Sequence, residues 1–443
     1  MTDEIADASI ELARRAYVYG FPLVFNLDQV VRYVTTGIGA NPAAAFNTFS
    51  HARALATPAD EFVTINNDTV YSMAQIDLSA GPVLLTVPEV GDRYYVLQFV
   101  SAWTENFAYV GTRATGTAPG RYLLAPPDWT GDAPDDATVI TCPTITASIV
   151  GRWAVDGEAD LPAVHALQDA TSLTPPAATP QGVLRPAATG DEALDFWERY
   201  RVWSRDNPPP ARDEAVQAGF ADLGLTGDER ITSAHPAAAA LSEGYARGAA
   251  ALAQVLQGGH APEVNGCLIN LHAFDYNLDH FGVGTIDAPE WRIEEPTERL
   301  LMRAGAALGG LWGNHGYEAA YLSVYVDDAG DQLNGAYRYE LVLDPPPRND
   351  GFWSLTMYDV PNYFLVDNPI ERYSIGDRTP GIVTGPSGGL TVTISRDAPT
   401  DPTARANWLP APAGDFRPLL RVYAPGTEVL DGTYEVPPIR RIG

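Results

Sequence analysis

The sequence predicts an α+β protein, mainly β with a helical insertion, in which two antiparallel β-sandwich domains are joined by a helical segment. Three observations carry this. Short runs rich in Val, Ile, Leu, Tyr and Thr, broken by Gly-Pro, Gly-Asp and Pro-Pro turns, crowd residues 61–173 and again 319–443. Helical spacing of apolar residues dominates 191–318. Between the first β texture and the helices lies TPPAATPQGVLRPAATG at 174–190, which reads as a linker. A chain of 443 residues with 45% hydrophobic content exceeds one ordinary domain and can fill two cores.

Taken in order, residues 1–60 form an N-terminal helical region. Ile5, Ala8, Leu12, Ala16 and Tyr19 recur at helical spacing, and Gly20 and Pro22 predict the end of that helix. ValLeuLeuThrVal at 83–87 and TyrTyrValLeuGlnPheVal at 94–100 read as strands, in a β texture that begins near Phe62. Asp191 caps a helix that runs through Arg205. Val216, Phe220 and Leu223 share a face that stops at Gly224, and Thr226 with Glu229 makes a capping-box pattern. An alanine-rich helix covers 237–257, and Leu301, Ala304, Leu308 and Leu311 mark another before Gly313. Tyr337, Tyr339, Leu341 and Leu343, then Leu390, Val392 and Ile394, alternate with polar neighbours as half-buried strands with one wet face.

Composition excludes several functions. All 28 basic residues are arginine, so no lysine can form a Schiff base with PLP or sit on a phosphate in a P-loop. A net charge of -28 opposes binding to nucleic acid or to an anionic membrane surface. There is no Gly-x-Gly-x-x-Gly for a nicotinamide cofactor and no His-Glu-x-x-His. Cys142 and Cys267 stand far apart, outside any CxxC, and read as buried free thiols. MTDEIADASIEL offers neither a basic nor an apolar leader region, and no apolar run reaches about 18 residues, so the expectation is a cytoplasmic protein.

IleAsnAsnAspThrValTyrSer at 65–72, with Asp77-Leu-Ser-Ala-Gly-Pro82 and Arg93-Tyr-Tyr, resembles the bacterial domain of unknown function 1254. Gly335, Phe352-Trp-Ser-Leu-Thr-Met-Tyr358, Asn368 with Arg372-Tyr-Ser, Asn407-Trp-Leu-Pro-Ala-Pro412, Arg421 with Tyr423, and Pro437-Pro438 resemble its C-terminal companion, domain of unknown function 1214. The resemblance implies two jelly-roll-like β domains with a helical part between them. It implies no activity, and a fold of this kind hosts many functions.

Three constellations could carry chemistry. In the first, Asp68 is a general acid or base, Tyr71 and Tyr95 are orienting donors and Arg93 grips a carboxylate, with Asn66, Asn67, Gln98 and Asn106 around them. The competing reading of 66–68 is a structural Asx turn. The second is a repeated pattern, His272-Ala-Phe-Asp275 and His315-Gly-Tyr-Glu318. On two helices the i, i+3 spacing would bring two imidazoles and two carboxylates to one divalent metal ion, with Asp279 as an outer partner. The competing reading is two separate helix-face histidines, each satisfied by its acid. The third sets Trp353, Tyr358, Asn368, Arg372, Tyr373, Asn407, Trp408 and Arg421 together as a platform for a planar, carboxylated or sugar ligand, against the alternative of an aromatic core.

These residues point to a non-redox enzyme, a hydrolase or lyase, acting on a small polar or carboxylated molecule. Two other classes stay open: a non-catalytic glycan-binding or self-assembling module of paired jelly rolls, and a metal-dependent enzyme built on the two His-x-x-acid copies.

Overall fold

The computed structural model describes residues 2–60, 64–257 and 262–443, without the side chains of 2–5 and 256–257. Phe62 and the Ile5 side chain lie outside the described residues.

The first sandwich stacks two sheets. The larger runs β1 (Phe49–His51), β2 (Thr69–Asp77), β8 (Thr146–Ala154), β4 (Tyr95–Ser101) and β5 (Asn106–Gly111), all antiparallel. The smaller runs β7 (Thr138–Thr141), β6 (Gly120–Ala125), β3 (Val83–Val87) and β9 (Ser172–Thr174), with β6 and β7 parallel. Between them Leu85, Leu97, Phe99, Ile149 and Trp153 are buried as one core.

The second sandwich repeats the plan. Its larger sheet runs β10 (Glu263–Val264), β11 (Cys267–Ile269), β12 (Ala319–Val324), β18 (Phe416–Pro425), β14 (Asn349–Asp359) and β15 (Ser374–Gly376). The smaller runs β17 (Trp408–Pro410), β16 (Leu390–Ser395), β13 (Tyr339–Leu343) and β19 (Arg440–Arg441), with β16 and β17 parallel. Leu341, Val392, Leu355, Leu420 and Val422 fill the space between. The outer β13 alternates buried and wet positions as its sequence predicts. β18 and β8 are buried at every position. One face of each serves its own core; the other face of β18 meets the first sandwich, and that of β8 meets Tyr33 of the N-terminal helix at Val150 and the second sandwich at Ala154.

The helices form a third core. α1 (Thr2–Thr35) packs against α3 (Glu192–Asp206), α5 (Ala238–Gln257) and α6 (Pro296–Gly310); α2 (Leu161–Ala170) and α4 (Glu214–Ala218) are short. α1 does not end at Pro22. An interior proline costs roughly 3 kcal/mol, but Leu23, Val24, Leu27 and Val30 beyond it are all buried in the helical core. Burying one such side chain returns ~1.5–3 kcal/mol, so continuation wins. Gly244 and Gly248 let α5 lie flat on α1: a Cβ at Gly244 would stand 2.3 Å from that of Ala13.

Three other expectations change. Asp191 does cap α3, accepting the Leu194 N–H, but no helix follows the Thr226–Glu229 pattern before α5. Residues 191–318 are not wholly helical, since β10 and β11 within them complete the second sandwich. Val264, Leu268, Leu271, Phe274, Leu278 and Phe281 are spaced three and four apart, which predicts an apolar helical stripe beside His272, but they are spread over β10, β11, a turn and irregular backbone.

Candidate functional site

The two larger sheets face each other, and strand alternation decides what stands between them. On β8, Ile149 and Trp153 point into the first core, so Arg152 points out of it. Its antiparallel neighbour on β2 is Tyr71, whose ring centroid lies 5.3 Å from the guanidinium. On β18, Leu420 and Val422 point into the second core, so Arg421 points out. Its neighbours across the sheet are Tyr321 and Ser354. β8 thus offers one buried arginine beside a tyrosine, and β18 offers Arg421 together with Arg417, which lies against Tyr358 and Tyr363.

Arg152 and Arg421 are held alike. Arg152 donates to Gln98 Oε1 (2.8 Å), Asn314 Oδ1 (3.3 Å) and the Trp312 carbonyl (2.9 Å). Arg421 donates to the hydroxyls of Thr356 (2.9 Å) and Tyr358 (2.7 Å) and to the Thr64 carbonyl (3.0 Å). Both carbonyls come from non-glycine residues in the left-handed region, Trp312 at φ 64° and Thr64 at φ 56°. That conformation costs about 1–2 kcal/mol per residue, a strain characteristic of binding sites. Among the described residues neither guanidinium has a carboxylate within the 4.0 Å ion-pair distance. Burial works against the Arg152 charge, and Tyr71, Tyr321 and Tyr423 around it hold its pKa above the usual value.

Glu318, in the turn before β12, adds a buried acid to this seam. Its Oε1 accepts a hydrogen bond from the Tyr94 hydroxyl at 2.6 Å, while Oε2 has no hydrogen-bond partner among the described residues. Burial pushes its pKa up to about 7, against the hydrogen bond from Tyr94 and the nearby charges of Arg113 and Arg152.

Asp68 serves a strap that ties the domains together. Its N–H bonds Asn66 Oδ1 at 2.6 Å, which is the Asx turn, and its carboxylate accepts the hydroxyls of Ser354 (2.6 Å) and Ser374 (3.4 Å). Each residue from 64 to 68 bonds the second sandwich. Thr64 O takes Arg421, Ile65 O takes the Tyr358 hydroxyl, Asn66 Nδ2 donates to Tyr423, and Asn67 Oδ1 takes the Ser374 hydroxyl.

Other expected site residues fall elsewhere. Arg93 is not Asp68's partner; it makes a bidentate ion pair with Asp160 (2.5 and 2.6 Å) and bonds the Ala154 carbonyl. Tyr95 lies on the core face, stacked on Trp153 at 5.0 Å, because alternation turns Tyr94 rather than Tyr95 toward the seam. Gln98 does reach the seam, where it also donates to Asn106 Oδ1 (2.7 Å). Trp353 is in the second core. Arg372 bonds the carbonyls of Ala406 and Trp408, Asn368 holds its own turn, and Asn407 pairs with the Val383 backbone. Trp408 is buried on the Ser395 carbonyl. Of that aromatic set only Tyr358 and Arg421 face the seam, with Tyr373 at its margin.

The two His-x-x-acid copies sit in turns, not on helices. His272 Nδ1 meets Asp275 Oδ2 at 2.5 Å, and His315 Nε2 lies 3.9 Å from Asp275 Oδ1. Glu318 turns away to Tyr94, and Asp279 pairs with Arg212. Among the described residues no three His, Cys, Asp or Glu side chains converge as a ligand set, so the four-ligand metal arrangement is not formed. Arg152 and Tyr321 were missed by sequence reasoning. The available signal for Arg152 was one charge inside the otherwise uncharged strand ThrAlaSerIleValGlyArgTrpAla.

The fold and seam together define a class: an α+β protein in which two β-sandwiches close face to face over buried arginines, tyrosines and acids. The chain belongs to the proteins that pair two domains of unknown function. Residues 46–175 match the protein of unknown function DUF1254, and residues 318–427 match DUF1214, as the sequence resemblance implies. The VPA0106 protein from Vibrio parahaemolyticus has the same fold in its crystal structure: TM-score 0.74 at 22% identity, covering 98% of this chain and 100% of that one. The crystal structure of a putative uncharacterized protein from Burkholderia cenocepacia superposes more loosely, with TM-score 0.44 at 13% identity over 99% of this chain and 94% of that one. No curated protein matches the sequence.

Proposed function

We propose that the protein is a non-redox enzyme, a hydrolase or lyase, acting on a small carboxylated molecule taken up between the two facing sheets. Arg152 is the carboxylate anchor, Tyr71 and Tyr321 orient the ligand, and Glu318 gives and takes the proton. Asp68 keeps the domains in register.

One observation carries this reading. Among the described residues Arg152 is a buried cation with no ion-pair partner, within electrostatic reach of a buried carboxyl that keeps one oxygen without a hydrogen bond and whose pKa burial pushes up to about 7. A buried charge is costly unless paired, and a ligand carboxylate supplies the missing charge bidentately. A carboxyl titrating near neutrality suits general acid–base catalysis.

The test is a panel of small mono- and dicarboxylates scanned for a rise in melting temperature. Ligand at 100 times its Kd should add about 2.7 kcal/mol. Arg152→Lys should abolish the shift, because a point charge lacks the planar fork. Glu318→Gln should bind the same compound and fail to turn it over. A panel that shifts nothing, or an Arg152→Lys variant that binds as well as the parent, would refute the reading.

The second reading, a non-catalytic binding or assembly module, is favoured by the strap, whose five residues all serve domain locking. It expects ligand binding without turnover under every condition.

A further inference from the structure

Outside the seam, His315 and Asp275 border a cavity of about 20 Å³, room for one water-sized group. His315 is 3% exposed. The Phe274 backbone acts on the ring as a hydrogen-bond acceptor, and Nε2 has no hydrogen-bond partner among the described residues. A ring that donates through one nitrogen presents a lone pair at the other. Asp275 spends Oδ2 on His272 and turns Oδ1 toward that Nε2, 3.9 Å away. Two acceptors therefore stand side by side at the cavity floor. Such a pair repels an anion and, with only two members, makes no metal site. It suits a group carrying several N–H donors, placed about 2.9 Å from both.

The walls agree with the floor. Phe281, Trp291 and Tyr317 line the cavity, and Ile286 and Ala288 make its mouth apolar. Aromatic walls attract a cation through their ring faces and cover an alkyl tail. Arg292 at the rim is neutralised by Asp287 and lies 3.9 Å from Glu294, so the local balance stays acidic. The chain's charge of -28 raises the local concentration of cations, and with no lysine it has no ε-ammonium of its own to fill the place.

We propose that this cavity is a binding site for a small primary amine, with the ammonium shared between Asp275 Oδ1 and His315 Nε2 and the alkyl or aryl portion leaving past Ala288 and Trp291.

Direct binding of n-butylamine, tetramethylammonium and n-butanol to the full chain, followed by calorimetry and by NMR of the histidine rings, tests this without any turnover assay. n-Butylamine should bind and perturb His315. Tetramethylammonium, which has the charge without N–H donors, and n-butanol, which lacks the charge, should each bind at least about tenfold more weakly, or 1.4 kcal/mol. Asp275→Asn should lose the preference. Ala288→Phe, a change at the rim that leaves both acceptors in place, should block the amine even if Asp275→Asn folds poorly. Absence of n-butylamine binding, equal binding of tetramethylammonium, or full binding by Ala288→Phe would each overturn the proposal.

Discussion

The Asp68 carboxylate accepts a 2.6 Å hydrogen bond from the Ser354 hydroxyl, joining a residue of the first sandwich to one of the second. Asp68 is 5% exposed and Ser354 3%, so neither has water as a ready substitute. The strap that contains Asp68 is thus an interdomain lock as well as a turn.

Asp68→Ala should therefore cost stability first. Removing one partner from a buried hydrogen-bonded group costs ~1–3 kcal/mol, and the buried Ser354 hydroxyl loses its acceptor here, while Ser374 keeps Asn67 Oδ1. Urea denaturation should show a loss of about 1–3 kcal/mol for Asp68→Ala and ~1–2 kcal/mol for Ser354→Ala. The double variant should reveal a coupling of about 0.5–3 kcal/mol. Additive effects would mean that the bond does not form in solution.

Glu318 makes stability depend on pH. Its folded pKa, about 7, lies above the ordinary 4.5, so the protonated form is preferred in the fold. Its contribution is fully present below about 4.5 and is lost as pH rises through 7. A shift of this size corresponds to roughly 3 kcal/mol, an order-of-magnitude figure. Glu318→Gln, which can still accept the Tyr94 hydroxyl, should remove that loss, gaining on the parent between pH 5 and 8. Parallel stability curves for the two proteins would contradict the assignment.

Arg93→Met should break the ion pair to Asp160, which is partly exposed, and lower stability by only about 0.5–1.5 kcal/mol. The Arg93 bond comes first among the causes that hold Asp160 below the ordinary carboxylate range. Its stabilisation is present above the ordinary pKa and fades as pH falls through the lowered one, so the variant should differ least from the parent in acid. Ligand binding in the seam should be unchanged.

Cys142 and Cys267 are free and buried, and burial raises both thiol pKa values, that of Cys267 to about 12. A thiol reagent should label neither in the native protein at pH 8 and both after denaturation. Fast labelling of either would show that its region opens locally.

The sequence by itself determined the local elements whose signals lie within a few residues. The strands at 83–87 and 390–395, the Asp191 cap and the alanine-rich helix follow from alternation, capping chemistry and helical spacing. So does the pairing of two recognisable domains. Only the tertiary structure decided which polar residues meet. Arg93 and Arg152 are equally charged in the sequence, but Arg152 sits on a central strand facing another sheet, and Arg93 sits where Asp160 can reach it. Pro22 reads as a helix end until the burial of Leu23 and Leu27 outweighs it. His272 and His315 do meet around Asp275, though through turns and not helices. Periodicity reports which side of an element is buried, and it cannot report what lies on the other side of the interface; that depends on contacts between residues hundreds of positions apart.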